Sequence, residues 1–401
     1  MFNLEKFISD NVIMRQTSMM KSDIENNRDA LSAKIKDKTV LVIGGGGTIG
    51  ASFVRAILPF RPISLVVVDH NENALTELTR DLRSTKGMYV PDEFITYPMD
   101  FASSVFKKMF RSRGGFNLIG NFSAHKHVRS EKDIYSTETL LRNNIFHAKS
   151  LLDLLAEYPP EEYFCVSTDK AANPVNIMGA SKRIMEDVIF SFSDRFPVKT
   201  ARFANVAFSN GSLLEGFLER IRKQQPLSAP SDVLRYFVSP EESGQLCMLA
   251  CMLGNNREIF FPKLEEAQMM CFDKIATRLL EEQGYQVLYC SSDKEAIDRA
   301  EDLKSGSIYY PVYYSPSDTS GEKAYEEFHI DTEIVDTDRF LSLGVITSKE
   351  IPDRTKVDDL LKKLNKAFAA GVSKEEIIVV MKEYLPNFAH IEKGKSLDSK
   401  M

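Results

Sequence analysis

The sequence Lys38-Thr-Val-Leu-Val-Ile-Gly-Gly-Gly-Gly-Thr-Ile-Gly50 decides the fold of this chain. Its apolar run up to Ile43 predicts a buried strand, and the pattern over 51–58 predicts a helix. Between them, glycines permit a tight turn, let backbone N–H groups approach a pyrophosphate, and let the helix pack closely on the strand. The helix N-terminus would present its positive end to the phosphates. We therefore expect a dinucleotide-binding turn whose cofactor-binding residues are Gly44, Gly47, Thr48, Ile49 and Gly50.

A second apolar run at 63–68 predicts the neighbouring strand, which ends at Asp69. Asp69 follows Gly50 by nineteen residues, a spacing at which a carboxylate accepts a hydrogen bond from the 2′-hydroxyl of an adenosine ribose. This position favours NAD over NADP as cofactor. His70 and Asn71 follow directly and are also expected to contact the cofactor, although they could still admit a phosphate.

Strands and helices continue to alternate beyond this unit, as a doubly wound parallel sheet requires. Apolar runs at 94–99, 116–120 and 163–166 predict further strands, and a helix is expected over 137–156. The carboxyl ends of parallel strands meet at one edge of the sheet, so the residues that follow these strands should share a ligand crevice. The residues expected to reach the cofactor from there are Asp100, Phe101, Ser123, Ala124 and Asn144.

The strand at 163–166 leads into Ser167-Thr-Asp-Lys170, and Met178 and Lys182 follow on the next predicted helix. A hydroxyl, an acid and amines gathered in so short a segment predict an active site. Reductases of this architecture carry Tyr-x-x-x-Lys on this helix, where the lysine holds the nicotinamide ribose and lowers the pKa of the tyrosine. Here Met178 takes the place of the tyrosine, and a thioether cannot exchange a proton, so another residue must act as the base. The non-catalytic alternative is a structural ion pair between Asp169 and Lys170.

The composition fits an enzyme that acts on small molecules. The 401 residues can build a large core and about two domains. With 51 basic and 57 acidic residues the net charge is −6, which argues against nucleic acid as a partner. The five cysteines form no Cys-x-x-Cys pair, so we expect reduced thiols in a cytoplasmic protein. No apolar run is long enough for a membrane span or a signal core, so no transmembrane segment is predicted.

The pair His125 and His127 could form half of a metal site. No third ligand occurs at a suitable spacing, so we predict no bound metal. We expect these histidines to contact the substrate, or to contact the residues that do.

We divide the chain into four predicted segments. Residues 1–35 alternate charged and apolar side chains and predict helices that dock on the body or on another subunit. Residues 36–206 are assigned to an NAD-binding Rossmann domain, and 207–350 mainly to a smaller substrate-binding domain. Residues 351–401 contain two amphipathic helices joined near Gly371 and a polar tail. The terminal helices could serve oligomerisation, and a homo-oligomer is expected.

The stretch Ser167-Thr-Asp-Lys-Ala-Ala-Asn-Pro-Val-Asn-Ile-Met-Gly-Ala-Ser-Lys-Arg183 resembles the signature of the nucleotide-sugar 4,6-dehydratases. These enzymes belong to the extended short-chain dehydrogenase/reductase superfamily, and the resemblance is to its polysaccharide-biosynthesis branch, which acts on UDP-N-acetylglucosamine. A methionine at the position of Met178 occurs in a subgroup of that branch. The resemblance covers roughly residues 36–330, and its other stretches are Val68-Asp-His-Asn-Glu72, Ala124-His-Lys-His-Val128, Arg202-Phe-Ala-Asn-Val206, Arg235-Tyr-Phe237 and Gly321-Glu-Lys-Ala-Tyr-Glu-Glu327.

The resemblance implies an NAD-dependent UDP-N-acetylglucosamine 4,6-dehydratase for surface polysaccharide or glycan synthesis. Such enzymes oxidise the sugar at C4, eliminate water across C5 and C6, and return the hydride to C6. Thr168 would hydrogen-bond the C4 oxygen, and Lys182 would hold the nicotinamide ribose. Lys170 would remove the C5 proton and Asp169 would donate to the departing C6 hydroxyl, while either could take the first proton from the C4 hydroxyl. Inversion at C5 is implied, and the implied substrate-binding residues are Lys126, His127, Asn205, Ser212, Arg235 and Glu322.

Two other functions are compatible with the sequence. A nucleotide-sugar C4 epimerase would use the same transient ketone, but it needs no C5 base and normally uses the tyrosine. A non-catalytic NAD(H) sensor would suit Met178, but it leaves the Thr168-Asp169-Lys170 set without a task.

Overall fold

The computed structural model describes residues 2–127, 131–317, 325, 327–347 and 350–390. The helices are α1 (Leu4–Phe7), α2 (Lys21–Asn26), α3 (Arg28–Ile35), α4 (Thr48–Ile57), α5 (Glu72–Ser84), α6 (Ser104–Ser112), α7 (Ile134–Leu141), α8 (Ala148–Glu157), α9 (Ile177–Phe190), α10 (Leu213–Arg222), α11 (Pro240–Leu253), α12 (Phe272–Glu282), α13 (Asp293–Arg299), α14 (Glu301–Lys304), α15 (Arg354–Ala370) and α16 (Lys374–Tyr384). The strands are β1 (Thr39–Ile43), β2 (Ser64–Asp69), β3 (Glu93–Pro98), β4 (Leu118–Asn121), β5 (Glu162–Val166), β6 (Val198–Ala201), β7 (Asn205–Val206), β8 (Leu227–Pro230), β9 (Leu234–Arg235), β10 (Phe237–Val238), β11 (Glu258–Pro262), β12 (Met270–Cys271), β13 (Gln286–Tyr289), β14 (Tyr309–Ser315), β15 (Ile334–Asp336) and β16 (Leu343–Thr347).

Within the described residues, the main sheet has the strand order β15-β16-β11-β6-β5-β4-β1-β2-β3. The strands from β11 to β3 run parallel, and β16 and β15 extend the β11 edge in antiparallel pairing. The strand order reverses between β1 and β4, and the connections that diverge there leave a crevice at the carboxyl ends of the strands. The predicted doubly wound α/β fold is confirmed.

Apolar residues fill the central strands because helices cover both faces of a parallel sheet. Every residue of β2 is buried, and β1 is buried from its second residue onward. The helices that cover one face cross closely: a Cβ atom at Gly244 of α11 would lie 2.2 Å from the backbone carbonyl carbon of Ser52 on α4. This packing fixes the helix that follows the glycine turn.

The helix predicted over 137–156 has a different internal structure. The chain runs from α7 through a π-helical segment, Arg142–His147, into α8. A π turn shifts the direction of the side chains that it carries, and such turns are frequent at functional sites. Asn144 and His147 both lie on this segment, so it aims two side chains that ordinary helical periodicity would have placed elsewhere.

A second hydrophobic cluster lies apart from the core of the main sheet. It contains the parallel strands β13, β14 and β8 together with apolar residues of α10 and α12. Tyr310 of β14 is fully buried there and forms part of the core of this cluster. Residues 240–262 and 334–347, which lie within the segment predicted to be mainly the substrate-binding domain, return to the main sheet. The division of the chain into four functional segments stays a prediction.

The helical parts of both terminal segments pack on the chain's own body, and the predicted polar tail beyond residue 390 lies outside the described residues. Arg15 donates hydrogen bonds of 3.0 and 2.9 Å to the two carboxylate oxygens of Glu242. The guanidinium of Arg354, at the start of α15, lies 4.7 Å from the ring centre of Phe192. The docking expected of the N-terminal helices is therefore observed on the body, and homo-oligomerisation stays a prediction. Among the described helices, none has the length and apolar character needed to cross a membrane.

Candidate active site

The glycine turn brings three parts of the backbone into close contact. Gly44 has a φ of +77°, a conformation that glycine adopts without strain, and a Cβ there would lie 2.6 Å from the backbone nitrogen of Ser123. A Cβ at Gly50 would lie 2.3 Å from the carbonyl oxygen of Gly44. The turn therefore excludes side chains at the positions where the sequence predicts close approach of a pyrophosphate, and it fits a dinucleotide.

Asp69 closes the other side of this turn. Its Oδ2 accepts a hydrogen bond of 2.9 Å from the backbone N–H of Gly46, and its Oδ1 accepts one of 2.9 Å from Asn71. Asn71 in turn caps α5 by accepting from the N–H of Ala74 at 3.1 Å. These bonds fix the carboxylate at the end of β2, where the sequence predicts a contact with ribose.

A cleft of about 560 Å³ opens beside the turn. The predicted cofactor-binding residues that line it are Gly44, Gly47, Asp69, His70, Asn71, Asp100, Phe101, Ser123 and Ala124. Ile49 and Lys182 line an adjoining cavity instead. Thr48, Gly50 and Asn144 lie in neither lining and support these walls.

Asn144 holds the segment after β4 against the helix that carries Lys182. Its Oδ1 accepts from the backbone N–H of His125 at 2.9 Å, and its Nδ2 donates to the carbonyl of His125 at 2.9 Å and to Ser181 Oγ at 3.0 Å. Asn144 is buried, so these bonds form away from water. The residue predicted to bind the cofactor thus positions the loop that lines the cleft.

Two further histidines line the cleft beside His70. Burial lowers the pKa of His125, and electrostatic interactions with His70, His147 and Lys182 lower it further. Burial also lowers the pKa of His147, against the opposing effect of Asp100. The two imidazoles therefore favour the neutral form.

The adjoining cavity has a volume of about 290 Å³ and shares Phe122 and Ala124 with the cleft. All five predicted catalytic residues line it: Thr168, Asp169, Lys170, Met178 and Lys182. The predicted substrate-binding residues that line it are Lys126, His127, Asn205 and Ser212. Arg235 is 5% exposed and is not part of the lining, and Glu322 lies outside the described residues. The structure thus places the predicted cofactor-binding residues beside the predicted catalytic and substrate-binding residues at the edge of the sheet.

Thr168, Asp169 and Lys170 meet at a single oxygen atom. Asp169 Oδ1 accepts from Thr168 Oγ1 at 2.9 Å, from the backbone N–H of Lys170 at 2.8 Å and from Lys170 Nζ at 3.2 Å. The Asp169 side chain is 5% exposed and that of Lys170 is 18% exposed, so this charge pair is largely shielded from water. An acid and an amine are thereby held side by side at the wall of the cavity.

Lys182 approaches the same cavity from α9. Its Nζ donates to the carbonyl of Val166 at 3.1 Å, and the residue is 3% exposed. Burial lowers the pKa of Lys182, against the opposing effects of Cys165 and Glu186. Met178, one turn earlier, is 2% exposed and offers no titrating group.

Lys126 is the other amine of the cavity. Its Nζ donates to Ser209 Oγ at 3.4 Å. Burial lowers the pKa of Lys126, and Glu215 counteracts part of this effect.

Sequence reasoning missed Glu131, which caps α9, the helix that carries Met178 and Lys182. Its two carboxylate oxygens accept from the backbone N–H groups of Ile177 and Met178 at 3.0 and 2.8 Å. Asn176 adds a cap by accepting from Gly179 at 2.7 Å. A carboxylate at a helix N-terminus is stabilised by the helix dipole, so Glu131 helps to fix the start of α9.

A buried charge network behind the cavity was also missed. Ser167 Oγ donates to Glu186 Oε1 at 2.7 Å, and Arg202 donates to both oxygens of Glu186 at 3.0 and 2.8 Å. The other side of the Arg202 guanidinium donates two bonds of 2.8 Å to Glu333. Burial alone would raise the pKa of Glu186, but the charge and hydrogen bonds of Arg202 outweigh it and hold this pKa below its ordinary value. The network fixes Ser167, which directly precedes the predicted catalytic residues Thr168, Asp169 and Lys170.

Among the described residues, no group of three or more histidine, cysteine, aspartate or glutamate side chains is arranged to hold a metal ion.

The family model described as polysaccharide biosynthesis protein matches residues 40–347. An uncharacterized membrane protein of Methanocaldococcus jannaschii is 29% identical over 355 residues, which are 87% of this chain and 96% of that protein. The probable polysaccharide biosynthesis protein EpsC of Bacillus subtilis is 28% identical over 75% of this chain. The inverting UDP-N-acetylglucosamine 4,6-dehydratase of Campylobacter jejuni is 24% identical over 57% of this chain and 67% of that enzyme. The chain spans only 49% of the length of EpsC.

Solved structures with the same fold include both dehydratases and epimerases. Pen from Bacillus thuringiensis superposes with a TM-score of 0.64 at 21% identity, over 80% of this chain and 90% of that chain. The dTDP-glucose 4,6-dehydratase DesIV from Streptomyces venezuelae, solved with NAD bound, gives 0.55 at 17% identity, over 72% and 88%. The UDP-glucose 4-epimerase of Thermotoga maritima, solved with UDP-glucose, gives 0.53 at 16% identity, over 73% and 90%. These similarities establish the fold, and the chemistry must be argued from the residues of the site.

Proposed function

The chain belongs to the polysaccharide biosynthesis protein family, within the extended short-chain dehydrogenase/reductase class of nucleotide-sugar dehydratases and epimerases, and on this basis we propose that it is a UDP-N-acetylglucosamine 4,6-dehydratase. One observation carries the proposal above all. The segment Thr168-Asp169-Lys170 holds an acid and an amine side by side in the cavity. In the same cavity Met178 takes the place of the tyrosine that reductases carry four residues before the lysine, here Lys182. An epimerase needs no such pair, whereas an elimination needs both an acid and a base.

The cleft beside the glycine turn suits NAD. The turn and the N-terminus of α4 would hold the pyrophosphate, Asp69 would accept from the adenosine ribose, and Lys182 would hold the nicotinamide ribose. When bound, NAD would accept the hydride of sugar C4 and return it to C6. The choice of NAD over NADP rests on Asp69 and is part of the proposal.

Lys170 and Asp169 would divide the proton transfers. With a sugar filling the cavity, loss of water around Lys170 would favour its neutral amine, and the proton of its ammonium would pass to solvent. The Asp169 carboxylate, already the acceptor of three hydrogen bonds, would take the C4 hydroxyl proton. Protonated Asp169 would then give this proton to the departing C6 hydroxyl, while the Lys170 amine takes the proton of C5.

The protons balance over these proposed reaction steps. The C4 hydroxyl proton leaves in the eliminated water, and the carboxylate of Asp169 is restored. The inverting outcome that the resemblance implies requires a proton to reach C5 from the opposite face of the sugar. A donor other than Lys170 would supply this proton and regain one from solvent, while Lys170 would keep the proton of C5 as the ammonium of the resting pair.

Thr168 and Lys182 would stabilise charge at C4. The Thr168 hydroxyl lies beside Asp169 Oδ1 and would hydrogen-bond the C4 oxygen as its proton leaves. The buried ammonium of Lys182 would lend positive charge to the same oxygen. Met178 would fill space without taking part in proton transfer.

Product analysis tests this function. Purified protein would be incubated with NAD⁺ and UDP-N-acetylglucosamine, and the products examined by mass spectrometry and NMR. Loss of one water with a keto group at C4 and a methyl group at C6 is expected. An unchanged mass with an inverted C4 would identify an epimerase. Binding of NADH without any change in UDP-sugars would identify the sensor.

A further inference from the structure

The loop 208–212, here called the strap, lies across the junction of the cleft and the cavity. Asn210 lines the cleft, and Ser209 and Ser212 line the cavity. The backbone N–H of Asn210 donates to Thr48 Oγ1 at 2.9 Å, which ties the strap to the glycine turn. Ser209 Oγ accepts from Lys126 Nζ at 3.4 Å, which ties it to the substrate side. The strap therefore contacts both halves of the site.

The strap begins at a residue in an unfavourable backbone conformation. Phe208 has a φ of +52°, in the left-handed region that side chains other than glycine, asparagine and aspartate seldom adopt. Gly211 follows with a φ of +74°, and a Cβ there would lie 2.9 Å from His127 Nε2. Such a conformation persists only where surrounding contacts hold it, so something must hold Phe208.

The N-terminal residues 2–13, here called the arm, supply this contact. The ring of Phe7 meets the ring of Phe208 edge to face, with centroids 6.0 Å apart and planes at 78°. Phe7 is 2% exposed and Phe208 is 7% exposed, and both belong to the second hydrophobic cluster. An edge-to-face pair of this kind stabilises beyond the area that it buries. Arg278 fixes the far end of the arm by donating to the carbonyl of Asn11 at 2.9 Å.

We propose that Phe7 is a positioning residue that holds the strap across the two binding cavities by keeping Phe208 in its left-handed conformation. Phe7 lines neither cavity and acts through Phe208. If Phe7 is truncated, Phe208 can relax to an ordinary backbone conformation. That relaxation would draw Ser209 and Asn210 away from Lys126 and Thr48. The inference rests on the proposed function only for the identity of the ligands that the strap meets.

Hydrogen–deuterium exchange of the full chain tests the proposal without any ligand. We expect strap amides to exchange about tenfold faster in Phe7→Ala than in the wild type, with no change in β1. The matched control is Ile13→Ala, which removes another buried apolar side chain from the arm and its cluster and should leave the strap within about twofold of the wild type. If Phe7→Ala does not fold, Phe7→Leu takes its place, because it keeps apolar volume but removes the ring. Its strap amides should exchange faster than those of the wild type, but less than tenfold faster.

Two further measurements separate positioning from general loss of stability. Adding Phe7→Ala to Phe208→Ala should change strap exchange no further, because the two side chains act through one contact. NADH binding, followed by fluorescence, should weaken about fivefold in Phe7→Ala and remain unchanged in Ile13→Ala. Equal exchange in the wild type and Phe7→Ala, or equal acceleration in Phe7→Ala and Ile13→Ala, would overturn the proposal. An inactive protein that still shows the strap effect would count against the dehydratase and leave the positioning role standing.

Discussion

Lys170 Nζ lies 3.2 Å from Asp169 Oδ1 at the wall of the cavity that also contains Met178 and Lys182. This contact places a base and an acid within reach of the same small molecule. It also pairs their charges, and in the proposed mechanism Lys170 becomes a base only when a bound sugar displaces water.

Lys170→Gln should lower the dehydration rate by about 10³-fold, because no other residue is proposed to take the C5 proton. NADH affinity should remain within about twofold, since Lys170 does not line the cofactor cleft. Steady-state kinetics and NADH fluorescence measure the two effects. Normal turnover in Lys170→Gln would assign the C5 base to another residue.

Met178→Leu should leave turnover within about threefold of the wild type. The two side chains have similar volumes, and the thioether has no proton to exchange. Kinetics on UDP-N-acetylglucosamine check this, with thermal unfolding as the control for packing. A loss of turnover by 100-fold or more without loss of stability would show that the sulfur takes part in the reaction.

Gly50→Ala should abolish NADH binding, because its Cβ would lie 2.3 Å from the carbonyl oxygen of Gly44 and force the turn apart. Gly216→Ala is the matched control, since among the described residues no atom beyond its chain neighbours and the backbone of its own helix lies within 4 Å of the Cβ that it adds on α10. That control should bind NADH normally and raise the unfolding free energy by about 0.5–1 kcal/mol. Titration of both variants with NADH decides the matter, and normal binding by Gly50→Ala would remove the turn from the cofactor site.

Lys182→Met should be more stable than the wild type at pH 7, because an apolar side chain replaces a buried ammonium. Burial lowers the pKa of Lys182 in the folded state, so the unfolded chain binds more protons between that value and about 10.5. The contribution of Lys182 to stability therefore rises with pH across this window, and the advantage of the variant should shrink toward pH 10. Urea unfolding of both proteins at several pH values tests the sign. An advantage that grows with pH would contradict it.

Arg202→Met should lower the unfolding free energy by about 3–5 kcal/mol, because it leaves the carboxylates of Glu186 and Glu333 without their buried partner. Adding Glu186→Leu should restore part of this loss, since it removes one of the two carboxylates that Arg202 no longer pairs, the one that keeps only Arg183, at 3.6 Å, as a charged partner among the described residues. Urea unfolding of the wild type, the two single variants and the double variant gives a double-mutant cycle. A double variant less stable than Arg202→Met would contradict the charge argument.

The fold, and the gathering of the predicted site residues at one edge of the sheet, could be predicted from sequence because their signals are local. The strand, glycine turn and helix of 38–58 specify one another over a few residues, and Asp69 marks the next strand end. The contacts that complete the site join residues distant in sequence: Glu131 caps a helix 46 positions later, and Arg202 reaches Glu333 across 131 positions. Neither periodicity nor spacing contains such pairings. The π-helical turn that carries Asn144 was missed because an ordinary helix has the same composition.

Transfer of the C4 hydrogen tests the central claim most directly. The enzyme would be supplied with UDP-N-acetylglucosamine carrying deuterium at C4 and unlabelled NAD⁺, and the product examined by NMR. A 4,6-dehydratase that uses a single bound NAD should place the deuterium on the C6 methyl group of a 4-keto product. Deuterium retained at C4, in an epimer or in unchanged substrate, would contradict the dehydratase.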